Sequence, residues 1–253
     1  MCLVVLAIGQ STQFPLILAG NRDEFHGRPT MKADWWPDKP HIVGGRDLQA
    51  GGTWLALHRN GRFATVTNYR DAEPVSAKFR SRGHLVTEFL ESSQRPLDYL
   101  TLIDGPAYAG FNLIVGDAGQ VAYLSNRGSA PRELPAGLYG LSNALLDGSW
   151  DKVERSKGRL AALLHQDAVN ETTLLRLLGD RQLGPIEDVE SERLGFAKAH
   201  AMTAPFIVTP EYGTRCSTVV TADQQGRWLM TERRFDRDGV ASGESRFAFV
   251  AQP

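Results

Sequence analysis

The stretch Cys2-Leu3-Val4-Val5-Leu6-Ala7-Ile8 is followed by Gly9 to Phe14 and then by Pro15-Leu16-Ile17-Leu18-Ala19-Gly20-Asn21-Arg22-Asp23-Glu24. The two apolar runs, Leu3 to Ile8 and Pro15 to Ala19, read as buried strands, and the polar segment between them as a turn region. Paired residues of an antiparallel hairpin have a constant sum, and a turn centred on Gln10 to Gln13 sets that sum at about 23 to 25. Cys2 then lies opposite Asn21, Arg22 or Asp23. Side chains alternate across a strand, so either Arg22 or Asp23 shares the face of Cys2. A guanidinium there favours thiolate over thiol. A carboxylate there holds an α-ammonium or orients a proton relay. The plainer alternative is a strand end fraying into water, with a surface Arg–Asp pair worth little.

Cys2 is the candidate for the chemistry, although a cysteine in second place proves little by itself. A cell that trims Met1 leaves a residue whose thiol and free α-amine sit on one carbon. The thiol is a strong nucleophile even when only a small fraction is thiolate. An α-amine has a pKa of about 7.7–8.0, so part of it is free to take a proton near neutrality. One residue then serves as nucleophile and base. With Met1 retained, the Cys2 nitrogen is an amide and no base.

Outward from this hairpin, Asn21 to Pro40 is dense in charge, aromatics and proline and reads as a long irregular loop. Asn60-Gly61 is flanked by strand-like Thr53 to Arg59 and Arg62 to Tyr69, a strong hairpin signal. Ser81 to Ser92 and Pro96 to Ile103 read as helices. Phe111 to Gly116 and Gln120 to Ser125 read as a strand pair. Trp150 to His165 and Asn170 to Leu178 read as amphipathic helices, the second capped by Asn170. Arg181 to Ala199 is less regular. Ala204 to Val208, Thr214 to Ala222, Arg227 to Phe235 and Ser245 to Ala251 read as strands. Hairpins, helices, then hairpins predict an α+β layered fold of antiparallel sheets covered by helices, not a βαβ dinucleotide fold. No Gly-rich phosphate loop follows a strand.

The chain has 253 residues, with 28 basic and 29 acidic side chains. That length is read as one domain, 1–253, with a substantial core. The balanced charge gives no footprint for nucleic acid. Two cysteines, Cys2 and Cys216, make no disulfide framework, and a reducing, cytoplasmic location is expected. Leu3 to Ile8 is too short for a membrane helix and lacks the basic flank of a signal peptide. No metal site is read, and the oligomeric state is left open.

Three further candidates stand out by position. With Asn60-Gly61 as a two-residue turn, Asn68 falls opposite Thr53 and shares its face with Leu55, Leu57, Ala64 and Val66. A polar amide on a buried face needs partners or a ligand. Asn143 ends the short run Tyr139-Gly140-Leu141-Ser142. An amide aimed at a developing oxyanion is a recognised role, and a turn-forming asparagine is the alternative. Arg215, near the start of a strand, is placed to bind a carboxylate or to raise the electropositive character around Cys2, or else snorkels to solvent. Cys216 reads as a small buried apolar residue.

Together, Met1-Cys2, Asn21-Arg22-Asp23-Glu24 with Phe25 and Arg28-Pro29, Gly51-Gly52-Thr53-Trp54, Thr67-Asn68-Tyr69, Arg80-Ser81-Arg82-Gly83, Gly110-Phe111-Asn112-Leu113, Tyr139 to Ala144 and Tyr212-Gly213-Thr214-Arg215 resemble the NRDE family, the transport and Golgi organisation 2-like proteins. More distantly, the order Cys, Asp, Asn, Asn, Arg resembles the cysteine N-terminal-nucleophile (Ntn) hydrolases, such as penicillin V acylases and bile salt hydrolases. The resemblance implies a four-layer αββα sandwich of two antiparallel sheets covered by helices. It implies Cys2 as nucleophile and Asp23 as its orienter. Asn143 would be a side-chain donor to the oxyanion, Asn68 a backbone or side-chain donor, and Arg215 would tune the thiolate. Arg22 stands in for an arginine slightly earlier in the acylase motif. Asn21, Glu24, Trp54, Asn68, Arg80 and Arg82 are read as the substrate-binding set.

Two functions follow as expectations. One is hydrolysis of a C–N amide bond in a small or acylated substrate, with no cofactor required. The other is a carrier of haem or acyl-coenzyme A that uses the same cleft without turnover, in line with the haem trafficking linked to the NRDE family. Haem needs an axial ligand or an apolar slot, and the candidates are His26, His41, His58, His84 and Cys2. Trp35, Trp36 and Trp54 are candidates for an apolar lining. Arg80 and Arg82, at the start of a helix, suit phosphates.

Overall fold

The computed structural model describes residues 2–71, 78–186 and 195–252. Met1 lies outside them, as do residues 187–194 of the irregular 181–199 stretch. The first two strands are β1 (Cys2–Ile8) and β2 (Leu16–Phe25). Cys2 pairs with Arg22, within the range set by the hairpin sum. Alternation decides the faces. Val4, Leu6, Leu16 and Leu18 enter one core cluster, and Val5, Ala7, Ile17 and Ala19 another.

Two antiparallel sheets form among the described residues. The first has the order β10-β1-β2-β11-β12-β13, with β10 (Gly137–Leu141), β11 (Tyr212–Ala222), β12 (Arg227–Phe235) and β13 (Ala241–Val250). The second runs β3 to β9 in chain order: β3 (Thr30–Trp36), β4 (Lys39–Asp47), β5 (Leu55–His58), β6 (Phe63–Asn68), β7 (Phe111–Gly116), β8 (Val121–Ser125) and β9 (Arg132–Glu133). Leu6, Leu18 and Met230 of the first sheet meet Leu57, Phe63 and Ile114 of the second in a shared core. Helices α1 (Gly83–Glu91) and α2 (Pro96–Thr101) cover the outer face of the second sheet. Helices α3 (Asp151–His165) and α4 (Glu171–Leu178) cover the outer face of the first. A short α5 spans Phe196–Ala201. The order of layers is αββα, as expected. Asn170 caps α4, its side chain accepting from the Thr173 amide at 3.0 Å.

Three readings are corrected. Asn21 to Pro40 is not an irregular loop: β2 runs on to Phe25, and β3 and the start of β4 follow. The polar residues continue β2 because β1 and β11 flank it, so its backbone bonds are made on both sides. Ala204 to Val208 forms no strand beyond an isolated bridge from Val208 to Gly213. The β5–β6 register also differs by one. Gly61 sits at φ +85°, and the His58 amide donates to Arg62 O at 2.8 Å. These close a three-residue loop, with Leu55 opposite Thr65. A slip of one residue exchanges faces. Ala64 and Val66 therefore pack under α1, while Leu55 and Leu57 face the inter-sheet core.

The start of α1 is set by contact between glycines. A Cβ on Gly52 would lie 2.5 Å from the backbone carbon of Gly83. Gly52→Ala is therefore expected to push α1 off the 50–53 segment and cost about 1–3 kcal/mol in urea unfolding. Gly27→Ala, with nothing within 4 Å of its added Cβ, is the neutral control.

Candidate active site

Where β1 begins and β2 ends, beside the start of α1, a cleft of about 400 Å³ opens. Cys2, Arg22, Asp23 and Glu24 line it from the first sheet, and Trp54 and Asn68 from the second. Arg80 and Arg82 close it at the head of α1. Eight of the residues picked from sequence thus meet at one opening.

Cys2 heads β1, half-buried, on the face it shares with Arg22. Its carbonyl accepts from the Ser142 hydroxyl at 2.8 Å, which ties the strand end to the segment after β10. Burial pushes the thiol pKa up and the Asp23 charge adds to the rise, while the Asp23 main chain and, least, the Arg22 charge pull it down. Arg22 is 5% exposed. Its guanidinium lies 4.3 Å from the Trp54 ring centroid and donates to the Thr30 hydroxyl at 3.2 Å. Arg82 is half-buried and donates to Gly110 O at 3.0 Å. Among the described residues neither arginine forms an ion pair, and a buried cation without a carboxylate is a costly arrangement. The other two cations of the cleft are matched: Arg28 by Asp47 at 2.6 Å, and Arg80 by Glu88 at 2.6 Å. Glu24 lies 3.8 Å from Arg28.

Asp23 projects the other way, into the layer between the first sheet and its helices. Its Oδ1 accepts from the Thr214 hydroxyl at 2.7 Å, and its main-chain oxygen accepts from the Tyr212 hydroxyl at 2.7 Å. Burial raises its pKa to about 6, opposed by nearby positive charge including Lys152. Lys152, in the first turn of α3, is 2% exposed, and burial lowers its pKa to about 8. Asn21 points the same way as Asp23 and joins the strand to its helices. Its Nδ2 donates to Leu178 O at 2.9 Å and Pro205 O at 2.8 Å, and its Oδ1 accepts from Ser217 at 2.6 Å.

Asn143 and Arg215 lie behind the cleft wall. The Asn143 Nδ2 donates to Asn68 O at 2.6 Å. The Asn68 side-chain amide opens on the cleft and makes no hydrogen bond among the described residues. Arg215 occupies a β-bulge between Thr214 and Cys216. Its Nη1 donates to Phe25 O at 2.9 Å, His26 O at 3.2 Å and Arg28 O at 3.3 Å, holding the turn after β2.

Of the candidate axial ligands, Cys2 lines the cleft. His26 bonds Thr209 O at 3.0 Å, His84 bonds Ala50 O at 2.8 Å, and His41 and His58 stack at 4.7 Å. Trp36 is buried under the second sheet with its Nε1 donating to Gly44 O at 2.9 Å, and Trp35 packs on Phe249 at 5.4 Å. Among the described residues no group of three or more His, Cys, Asp or Glu gathers to hold a metal, and no helix is long and apolar enough to cross a membrane.

Sequence reasoning missed Lys152, Ser142, Thr214 and Glu232. Glu232 is 1% exposed between the sheets, with one oxygen accepting from the Ala33 amide at 2.7 Å. Burial raises its pKa. Ser217 and Thr214 carried a faint signal, as hydroxyls on a strand otherwise rich in apolar side chains. Lys152 carried none, since a lysine in the first turn of an amphipathic helix reads as solvated.

The arrangement has relatives. The chain is 36% identical over 244 residues to a transport and Golgi organization protein 2 homolog of Bos taurus, covering 87% of this chain and 86% of that one. Among solved structures it is similar to a Caenorhabditis elegans N-acylethanolamine-hydrolyzing acid amidase ortholog, at TM-score 0.51 and 13% identity, covering 86% of this chain and 92% of that one. A conjugated bile acid hydrolase from Clostridium perfringens matches at TM-score 0.52 and 10% identity, covering 98% and 97%. At such identities these two show a shared fold, that of the Ntn hydrolases. The family model for transport and Golgi organisation 2 matches residues 1–237, and the chain belongs to that family.

Proposed function

We propose that the cleft hydrolyses the amide bond of a small acyl substrate that carries an anionic group, with Cys2 as nucleophile. The observation that carries this reading is the meeting of the Cys2 thiol with two guanidiniums, Arg22 and Arg82, that have no carboxylate partner among the described residues. The uncapped start of α1 adds to the attraction for an anion.

Once Met1 is removed, the thiol proton passes to the α-amine of Cys2. The sulfur bonds to the carbonyl carbon, and the oxygen takes up negative charge. Asn68 is the donor poised toward that oxygen, held in place by Asn143. Collapse breaks the C–N bond, and the leaving nitrogen takes the proton from the ammonium. Water then attacks the thioester, releasing the carboxylic acid and restoring the thiol. The two structural neighbours are named for hydrolysis of N-acylethanolamines and conjugated bile acids.

Intact-mass measurement combined with a panel of N-acyl amides, half with a terminal carboxylate, tests the reading. Amine release by protein that has lost its first methionine is expected, faster for the carboxylate-bearing members. Arg82→Leu should raise KM about tenfold or more for those members and leave the uncharged ones unchanged, since a charge-assisted hydrogen bond contributes roughly 1.5–3 kcal/mol. Cleavage by protein that keeps Met1, or equal rates for both halves of the panel, overturns it.

One observation favours a second reading, a carrier of an anionic ligand such as haem or an acyl-coenzyme A. The upward-shifted Cys2 thiol is neutral at pH 7 unless something withdraws its proton. Haem titration with a Soret shift that Arg22→Leu and Arg82→Leu weaken, in protein without amidase activity, would favour the carrier.

A further inference from the structure

Behind the nucleophile's strand, on the side away from the cleft, stands a buried lysine. Lys152 lies in the first turn of α3, where a cation opposes the helix dipole. It is 2% exposed, and its ammonium has one acceptor among the described residues, Met202 O at 3.1 Å, where it has three hydrogens to donate. The Trp150 ring flanks it, with Nζ 5.6 Å from the centroid. It also borders a cavity of about 150 Å³ shared with Trp150 and Arg70. The charged and titratable groups whose fields reach it are Asp23 of β2, Arg70 beyond β6 and Cys2 of β1. Neither helix propensity nor solvation explains a lysine here. The buried Asp23 carboxylate, whose charge favours the ammonium, does.

Asp23 is fixed from two sides, by the Thr214 hydroxyl on its Oδ1 and the Tyr212 hydroxyl on its main-chain oxygen. The antiparallel pairing of Cys2 with Arg22 runs the nitrogen end of Cys2 toward Asp23. We propose that Lys152 is a positioning residue of the Cys2 centre, which keeps the buried Asp23 carboxylate charged from the helix-covered side so that Asp23 can orient the α-amine of Cys2. This rests on the amide-hydrolase reading for its consequence, but not for its physical core, the coupling of Lys152 to Asp23.

The experiment is a carboxyl titration of the full-length protein by 13C NMR, with the Asp23 signal assigned by its loss in Asp23→Asn. Wild-type Asp23 titrates near the value of about 6 that its surroundings set. Lys152→Met removes one of the charges that hold it down, and its midpoint rises by about one unit, a tenfold change in the acid constant. Lys152→Arg keeps the charge and leaves the midpoint within a few tenths. In turnover, Lys152→Met lowers kcat below the new midpoint with KM within twofold, and the loss is recovered as the pH rises past it. An Asp23 midpoint unmoved by Lys152→Met overturns the inference whatever the activity. Failure of the amide-hydrolase reading shows separately, as amidase activity that survives Cys2→Ala. If Lys152→Met does not fold, Asp23→Asn decides: the Lys152 midpoint, near 8 in wild type, falls when the carboxylate that supports the ammonium is removed, and an unmoved Lys152 midpoint overturns the inference.

Discussion

On the amide-hydrolase reading proposed above, Cys2→Ala is expected to reduce amide turnover to the uncatalysed background, a loss of at least about 10³-fold, because the deletion removes the atom that would bond to the carbonyl. On the same reading, binding of the anionic substrate should survive, with Kd within about threefold, since the proposed anion holders Arg22 and Arg82 are held by Thr30 and Gly110 and not by the thiol. The fold should survive too. Cys2 is half-buried at a strand end, and its interaction with Ser142 runs through its main-chain oxygen, which alanine keeps. Turnover and equilibrium binding measured on the same preparation separate the two claims. Full turnover in Cys2→Ala would sink the nucleophile. Lost binding with lost turnover would place the thiol in ligand recognition.

A second large effect concerns stability. Asp23 has its pKa raised from 3.8 to about 6, so the folded state is favoured below the unfolded value and loses that favour as pH rises through about 6. Lys152 has its pKa lowered from 10.5 to about 8, so its charged form weighs against folding below about 8 and ceases to do so above. At pH 7 both groups are charged in the folded protein at a cost to stability. Asp23→Asn combined with Lys152→Met is therefore expected to raise stability at pH 7 by ~1–4 kcal/mol, the range found when buried charges give way to neutral packing. Lys152→Met alone should gain less, because it leaves Asp23 facing one cation fewer. The stability advantage of the double variant should shrink below pH 5, where wild-type Asp23 is protonated. Urea unfolding at pH 5 and pH 7 measures both. A double variant less stable than wild type at pH 7 would show that the two charges hold the layer together.

The parts of this architecture that were legible in sequence share a cause. β1, β7, β8 and the helices α3 and α4 follow from local periodicity and a cap, and the placing of Cys2 opposite the Asn21 to Asp23 segment from the length of one turn. What escaped depends on distant groups. Asn21 continues a buried strand because Leu178, Pro205 and Ser217 satisfy its amide. Nothing in the neighbours of Asn21 announces those partners. The β5–β6 register turned on whether the loop held two residues or three, which Asn60-Gly61 leaves open. The eight cleft residues are marked by a family's combination of motifs as much as by their own chemistry. Lys152, which no motif marked, needed the tertiary placement of α3 against β1 and β10 of the first sheet.

The bulge at Arg215 has a consequence for reading relatives of this chain. Thr214 and Ser217 are three positions apart, so in an unbroken strand they would point to opposite sides. Yet both reach the helix-covered side, one to Asp23 and one to Asn21. The extra residue is what reconciles them. When homologous chains are aligned, an insertion or gap at 215 therefore decides whether the hydroxyl before it still faces the acid. The tally of residues between those two hydroxyls is a stronger criterion for a matching centre than the identity of the arginine itself.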